Sequence, residues 1–159
     1  MKKTLIVLLV LFFFSSCMIR PIYVPPRVYS ISSAVKSLQD SYLLVFVEEV
    51  DGYGPVEAKG VVASYVHDGK NYLFYGFKFY DDSPKVYWKK IVKEIGIWSS
   101  RTYFDLLNSG LYSSKKDGKY IVVWWKDVWM FIVESSSNAE DFANYAMNWF
   151  AKLGGSEGW

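Results

Sequence analysis

The chain has 159 residues, of which 52% are hydrophobic, 19% aromatic and 21% charged. Lys2 and Lys3 account for the net charge of +2, because without them the 18 basic residues fall to 16 and equal the 16 acidic ones. The rest of the chain is therefore formally neutral and shows no basic stripe of the kind that is typical of nucleic-acid-binding domains, so no nucleic-acid partner is expected. The length suits one domain with its own apolar core.

The first sixteen residues have the composition of a secretory signal peptide. Lys2 and Lys3 are followed by an uncharged apolar run at residues 5–14, and then by Ser15 and Ser16, whose small side chains suit a cleavage site. The run is ten residues long, whereas a helix that spans a membrane needs about 20. We therefore predict that residues 1–16 are a signal peptide and that the rest of the chain is exported.

Cys17, the sole cysteine, directly follows the two serines. Ser15, Ser16 and Cys17 resemble the lipobox of bacterial lipoprotein precursors, although Phe14 stands where that family usually has leucine. In that family the cysteine becomes the mature N-terminus and carries acyl chains. The resemblance implies that Cys17 is lipidated and that its acyl chains anchor the protein to a membrane of the bacterial cell envelope. The alternatives are a secreted protein with an unmodified thiol, or an uncleaved N-terminal anchor.

Residues 17–27 are interpreted as the lipidated N-terminus and an extended tether. Pro21, Pro25 and Pro26 interrupt helices and central strands. Residues 28–159 are expected to form a single domain. Within it, apolar residues at helical spacing predict a short first helix over residues 30–40.

Three strands are predicted next, over residues 42–50, 56–67 and 72–80, because each is rich in β-branched and aromatic residues. Asp68 and Gly69 accept the positive φ of a tight turn, so we expect an antiparallel meander. The first strand is apolar at consecutive positions, which indicates that both faces of the sheet are covered.

Ser83 and Pro84 are typical of a helix start and predict a helix that is interrupted at Gly96. A second helical segment is predicted over residues 101–108, and a loop over residues 115–118. Residues 120–125 and 128–134 predict another hairpin.

The last predicted element is a helix that begins at a capping box. Ser137 and Glu140 have the spacing at which each side chain can bind a free backbone N–H of the first turn. The apolar face of this helix ends before Gly154 and Gly155.

This element order predicts an α+β fold, in which helices lie on both faces of a central antiparallel sheet of about five strands as an α/β/α sandwich. It resembles the PsbP-like fold shared with the Ran-binding Mog proteins, and also uncharacterised lipoproteins of Thermotoga-type bacteria. Members of that superfamily are mainly accessory or binding proteins, so the resemblance implies a non-catalytic role and transfers no functional residue. The chain has one histidine, one glutamine and one cysteine, and this scarcity of heat-labile side chains is a compositional hint of a thermophile.

The sequence offers little for catalysis or metal binding. His67 is the only histidine, and zinc sites need several convergent ligands. A hydrolase in which His67 activates Ser64 or Ser99 is a further hypothesis, but no nucleophile motif supports it. We therefore predict no enzymatic activity, no metal and no cofactor.

Trp124, Trp125 and Trp129 are an unusual concentration of indole rings in one predicted hairpin. If exposed, these rings could stack on a sugar or peptide, but packing in the core is the favoured explanation. The chain is thus predicted to be a lipid-anchored, non-catalytic binding or structural module with an unknown envelope protein as partner. The alternative is a receptor that binds a small glycan or peptide in an exposed aromatic cleft.

Overall fold

The computed structural model describes residues 21–38 and 40–154. In this part of the chain there are three helices and seven strands. The helices are α1 (Ile31–Lys36), α2 (Pro84–Ile95) and α3 (Ala139–Lys152), and the strands are β1 (Leu43–Tyr53), β2 (Val56–His67), β3 (Lys70–Lys78), β4 (Ser100–Asp105), β5 (Ser109–Lys116), β6 (Lys119–Lys126) and β7 (Trp129–Ser135). A 3₁₀ turn at Ile97–Ser99 connects α2 to β4. The predicted signal peptide and Cys17 lie outside the described residues.

The strands form one open antiparallel sheet in the order β1-β2-β3-β7-β6-β5-β4. It consists of two meanders, β1 to β3 and β4 to β7, which α2 connects along the chain and which meet where β3 pairs with β7. The predicted first meander and last hairpin are confirmed. β1 and β4 are the two edges of the sheet.

The predicted α/β/α sandwich, with helical layers over both faces of a five-stranded sheet, is wrong. The sheet has seven strands, and helices of 6, 12 and 14 residues are too few to form layers over it. Of residues 101–108, which were predicted to be helical, residues 101–105 lie in β4. Lys115 and Lys116 end β5 rather than lying in a loop. Thr102, Tyr103 and Phe104 have the β-branched and aromatic side chains that favour strands, and pairing with β5 selects that conformation.

The tip of the β1–β2 hairpin folds back over the sheet and covers part of the face on which α2 packs. The bend needs a close approach at Gly60, where an added Cβ would lie 2.5 Å from the Phe77 ring. At the tip, the ring centroid of Tyr53 is 5.0 Å from that of Tyr75 on β3, and Val56 is buried in the core below α2. A strand hairpin therefore occupies space that the predicted sandwich assigns to a helix.

Asp-Gly pairs close two of the hairpins. Asp68 and Gly69 have φ angles of 49° and 71°, and Asp117 and Gly118 have 51° and 77°. Two consecutive positive φ angles are typical of the type I′ turns that suit the strand twist of a hairpin. This local chemistry sets where β2 meets β3 and where β5 meets β6.

The helix ends follow from local side chains. Ser83 caps α2 and Pro84 is its first residue, as predicted. The cap of α3 is Asn138, which accepts from the backbone N–H of Glu140, rather than the predicted Ser137. No helix in the described residues is long and apolar enough to cross a membrane.

The core has two parts, one on each face of the sheet. On one face, α1, α3 and the segment at residues 21–29 cover Phe74, Trp124 and Phe131. On the other face, α2 and the hairpin tip cover residues that include Trp125 and Ile132. Residues 21–26, which were predicted to be part of a tether, form neither helix nor strand, but Ile22 and Val24 are buried in the first core.

Candidate functional site

α3 leaves part of its sheet face uncovered. It packs on β6 and β7, while β5 and the edge strand β4 extend beyond it. The space beside the helix is a groove of about 330 Å³, here called the α3 groove. It is lined by Thr102, Phe104, Leu111, Ser113, Val122, Glu140, Ala143, Asn144 and Met147. The sheet thus forms the floor of the groove and one helix forms a single wall.

A β-bulge at the start of β4 shapes one end of the groove. The pairing register shifts between Ser100 and Thr102, and such a bulge re-aims side chains. Arg101 Nε therefore lies 3.9 Å from Glu140 Oε1, while Thr102 also lines the groove. Tyr103 points to the opposite face, where its ring centroid lies 5.6 Å from that of Trp88.

Glu140 is the charged group of the α3 groove. Its Oε1 accepts a hydrogen bond of 2.9 Å from the Ser113 hydroxyl, and its side chain is 33% exposed. A carboxylate has room for further donors, so this end of the groove can bind an amine, guanidinium or amide N–H. Farther along α3, Asn144 adds a side chain that both donates and accepts.

The groove opens beside an unprotected strand edge. β4 pairs with β5 on one side only, so no described strand pairs with its outer edge. Free backbone N–H and C=O groups on an edge strand can pair with another extended chain. The apolar floor and the free edge lie next to each other, which suits a ligand in extended conformation.

The three tryptophans predicted as possible stacking residues lie in the core. Trp124 and Trp129 are fully buried on the α3 face, and Trp125 is buried on the opposite face. In this conformation their rings offer no free surface to a sugar or peptide. Trp98, in the 3₁₀ turn, is fully exposed instead. Its exposure could not be predicted from the sequence, because a segment of three residues is too short to show a periodic pattern.

The residues of the hydrolase hypothesis are not brought together. His67 Nδ1 lies 2.8 Å from the carbonyl oxygen of Ser41, and Ser99 Oγ donates to the carbonyl oxygen of Gly96 over 2.8 Å. Ser64 and His67 both lie in β2, but they are three positions apart, so their side chains point to opposite faces of the sheet. Within residues 21–38 and 40–154, no group of three or more His, Cys, Asp or Glu residues could hold a metal ion.

A second pocket of about 420 Å³ lies under the hairpin tip, on the opposite face from the α3 groove. In it, the Tyr53 hydroxyl donates to Glu134 Oε1 over 2.6 Å, and Lys119 Nζ lies 3.9 Å from Glu134 Oε2. Burial and the neighbouring carboxylate raise the pKa of Tyr53 well above its usual value. These contacts join the hairpin tip to β7, so we assign the pocket a structural role.

Comparison with known proteins identifies relatives. Residues 26–153 match the family described as protein of unknown function (DUF3242). The chain is 35% identical to a Thermotoga maritima protein whose crystal structure is described as that of a GTP binding regulator; the match covers 81% of this chain and 93% of that one, with a TM-score of 0.72. No curated protein gives a significant match.

These matches confirm the expected likeness to a protein of Thermotoga-type bacteria, but they give no support to the PsbP-like resemblance. The match to DUF3242 runs from the segment before α1 to the end of α3. It therefore includes every helix and strand of the described fold. The chain belongs to the DUF3242 family.

Proposed function

We propose that this chain is a lipid-anchored protein of the bacterial cell envelope, and that it binds an extended peptide segment of another envelope protein without catalysing a reaction. The observation that carries the proposal is the α3 groove, with its sheet floor, single helical wall and neighbouring free strand edge. Ligand binding at such a site needs neither a nucleophile nor a metal. The anchor holds the groove near the membrane where the partner resides.

The anchoring half of the proposal is supported by the sequence of the first seventeen residues. A basic start, a short apolar run, two serines and Cys17 occur in the order typical of a lipoprotein precursor. The family match begins at residue 26, after this leader. One acyl chain gives only marginal membrane binding, so stable anchoring requires more than one chain on Cys17.

Cys17→Ser tests the anchor. We expect the wild-type protein in the membrane fraction of its host, with an acylated N-terminal cysteine by mass spectrometry, and the variant in the soluble fraction. An intact Met1, an unmodified thiol at Cys17, or unchanged membrane association of the variant would contradict the anchor.

The groove suits a peptide better than a glycan. Its floor contains apolar side chains from three neighbouring strands, Phe104, Leu111 and Val122, which can receive the alternate side chains of an extended peptide. Glu140 can bind a basic side chain or a backbone N–H at one end. The predicted glycan receptor would use aromatic rings of the second hairpin, but those rings are buried.

Thr102→Trp tests the groove, because a bulky ring on its floor should fill it. The probe is a peptide of alternating apolar and basic residues, added to the purified protein while amide resonances are followed by NMR. We expect shifts in β4 and α3 for the wild type and their loss in the variant. The matched control is Tyr103→Trp, which changes the neighbouring residue on the opposite face of β4. Shifts from chitin oligosaccharides alone, or peptide shifts unaffected by Thr102→Trp, would reject the peptide site.

Guanine nucleotide binding is a second candidate, because the similar Thermotoga maritima protein is described as a GTP binding regulator. The α3 groove does not suit a triphosphate, since Glu140 and Asp141 give the first turn of α3 negative charge. Titration with a fluorescent GTP analogue tests this candidate. Saturable binding that Thr102→Trp abolishes would replace the peptide proposal, whereas binding that the variant leaves intact would place a nucleotide site elsewhere.

A further inference from the structure

One end of the sheet carries both the beginning of the described chain and a group of exposed apolar side chains. We call it the tether end and define it by the ends of β3, β4 and β6, together with the loops at residues 79–83, 106–108 and 127–128. The opposite end contains the two Asp-Gly turns.

The segment at residues 21–29 is fixed across the tether end by cations. Lys126 Nζ donates to the carbonyl oxygen of Ile22 over 3.2 Å, and Lys78 Nζ donates to that of Tyr29 over 2.8 Å. Arg27 forms a two-bond ion pair with Asp127 in the turn between β6 and β7. The chain therefore enters the domain at this end.

The position of the chain limits how far the domain can stand from the membrane. Three residues separate Cys17 from Pro21, so their Cα atoms can be at most about 14 Å apart. β6 has 8 residues, and at roughly 3.3 Å per residue its length is about 26 Å. A lipid on Cys17 can therefore bring the tether end to a bilayer, but the opposite end remains too far away.

The tether end exposes apolar side chains from several separate segments. Val28 is 86% exposed, Tyr80 75% and Leu107 87%. Val86 in the first turn of α2 and Leu106 are also exposed. Lys85, beside Val86, joins two of these segments, because its Nζ donates to the carbonyl oxygen of Leu106 over 2.9 Å. Exposed apolar groups that share one end of a soluble domain are typical of an interaction surface.

Charge at this end is close to balanced. Asp127 is paired with Arg27, and Asp105 lies 2.5 Å from Lys85 Nζ and 3.5 Å from Lys89 Nζ. The acidic residues Asp81 and Asp82 in the neighbouring loop offset the charges of Lys78 and Lys126. Contact with a bilayer would thus depend on apolar side chains and would depend little on anionic lipids.

We propose that the tether end lies on the phospholipid bilayer that holds Cys17, with Val28, Tyr80 and Leu107 in the headgroup region. This inference rests on the proposed lipidation and adds an orientation to it. With the tether end on the bilayer, the sheet stands with its opposite end away from the membrane. The α3 groove then opens sideways near the bilayer, because Asn144 and Met147 line both the groove and a smaller pocket beside Pro21.

Fluorescent probes on single cysteines test the orientation in the full acylated protein. Acylated Cys17 has no free thiol, so Leu107→Cys supplies the sole labelling site. The control is Leu43→Cys, which is also exposed but lies at the opposite end, beside the turn between β2 and β3. Each variant is labelled with a polarity-sensitive dye and placed in phosphatidylcholine vesicles that contain a nitroxide-labelled lipid.

We expect quenching at Leu107→Cys that exceeds quenching at Leu43→Cys by at least about twofold, because interfacial groups lie about 5–10 Å into the headgroup region. Tyr80→Cys is a second probe of the same end and should behave like Leu107→Cys. Equal quenching at the two ends, or none at Leu107 and Tyr80, would overturn the orientation.

The same samples separate this inference from the anchor. If mass spectrometry shows an acylated Cys17 while the Leu107 and Tyr80 probes remain in water, the orientation fails and the anchor stands. If Cys17 carries no lipid, the anchor fails, and the orientation fails with it.

Discussion

The absence of a side chain at Gly60 allows the β1–β2 hairpin tip to cover the sheet face on which α2 packs. A Cβ at this position would lie 2.5 Å and 2.6 Å from two atoms of the Phe77 ring and 2.8 Å from the carbonyl oxygen of Gly76. Phe77 is fully buried, so its ring has little room to move. Glycine at position 60 therefore permits the close contact between β2 and β3. The tip of the β1–β2 hairpin folds over the sheet from this point.

We predict that Gly60→Ala lowers the free energy of unfolding by about 1–3 kcal/mol, the usual cost of overpacking a core. Urea unfolding followed by tryptophan fluorescence measures the change. Gly118→Ala is the control, because no atom lies within 4 Å of its added Cβ and its cost comes from a φ of 77° alone. An unfolding midpoint of Gly60→Ala equal to that of the wild type would show that the bend does not depend on glycine.

At the scale of elements, the segment at residues 21–29 is attached to the β6–β7 turn by an ion pair. The Arg27 guanidinium beside Asp127 holds the pKa of that carboxyl below its usual value. A carboxyl with a lowered pKa in the folded state contributes stability above its unfolded pKa of about 3.9, and this contribution is lost as the pH falls through the folded value.

We predict that Asp127→Asn loosens residues 21–29 at neutral pH and removes the acid dependence of their attachment. Asparagine tolerates the positive φ of 56° found at this position, so the turn itself should persist. Hydrogen exchange of the Tyr29 amide, which donates to the carbonyl oxygen of Pro26, reports the attachment.

Asp117→Asn is the matched control, since Asp117 occupies a similar turn with φ of 51° and forms no ion pair in the described structure. Wild type and Asp117→Asn should show faster exchange as the pH falls, after correction for intrinsic exchange rates. Identical protection in Asp127→Asn and wild type at neutral pH would mean that the ion pair does not hold the segment.

Elements also differ in how well sequence patterns predict them. The Asp68-Gly69 turn and the Ser83-Pro84 helix start involve residues close in sequence, and both were predicted. The turn at Asp117 and Gly118 was predicted only as part of a loop, because the strand before it was not recognised. β4 has only 6 residues and lies at an edge, so its conformation depends on pairing with β5. The α3 groove could not be predicted because a helix was assigned where this edge strand lies.

At the scale of the whole molecule, several buried and half-buried tyrosines couple folding to alkaline pH. Burial raises the pKa of Tyr42 to about 12 and raises that of Tyr53, Tyr65, Tyr72 and Tyr75 as well. In the unfolded chain these phenols ionise near pH 10. Above that pH the unfolded state binds fewer protons than the folded state, so stability falls as the pH rises.

We predict a steep loss of stability above about pH 10, measured by urea unfolding over a series of alkaline pH values.

Tyr53→Phe should be less stable than wild type at neutral pH, because it removes the hydrogen bond to Glu134, worth about 1.5–3 kcal/mol when the partner is charged. Its stability should also fall less steeply with alkaline pH. A stability that stays constant between pH about 9 and 11 would contradict the tyrosine linkage.

The sequence alone determined the features that depend on neighbouring residues: the hairpin turns, the ends of α2, the apolar face of α3, and the leader pattern that motivates the anchor. Tertiary structure decided which segments cover which face. The contact between Tyr53 and Glu134 joins residues 81 positions apart, and the three hairpin tryptophans are buried by helices from distant parts of the chain. Local patterns carry no information about such partners, because the free energy of burial depends on what packs against a side chain.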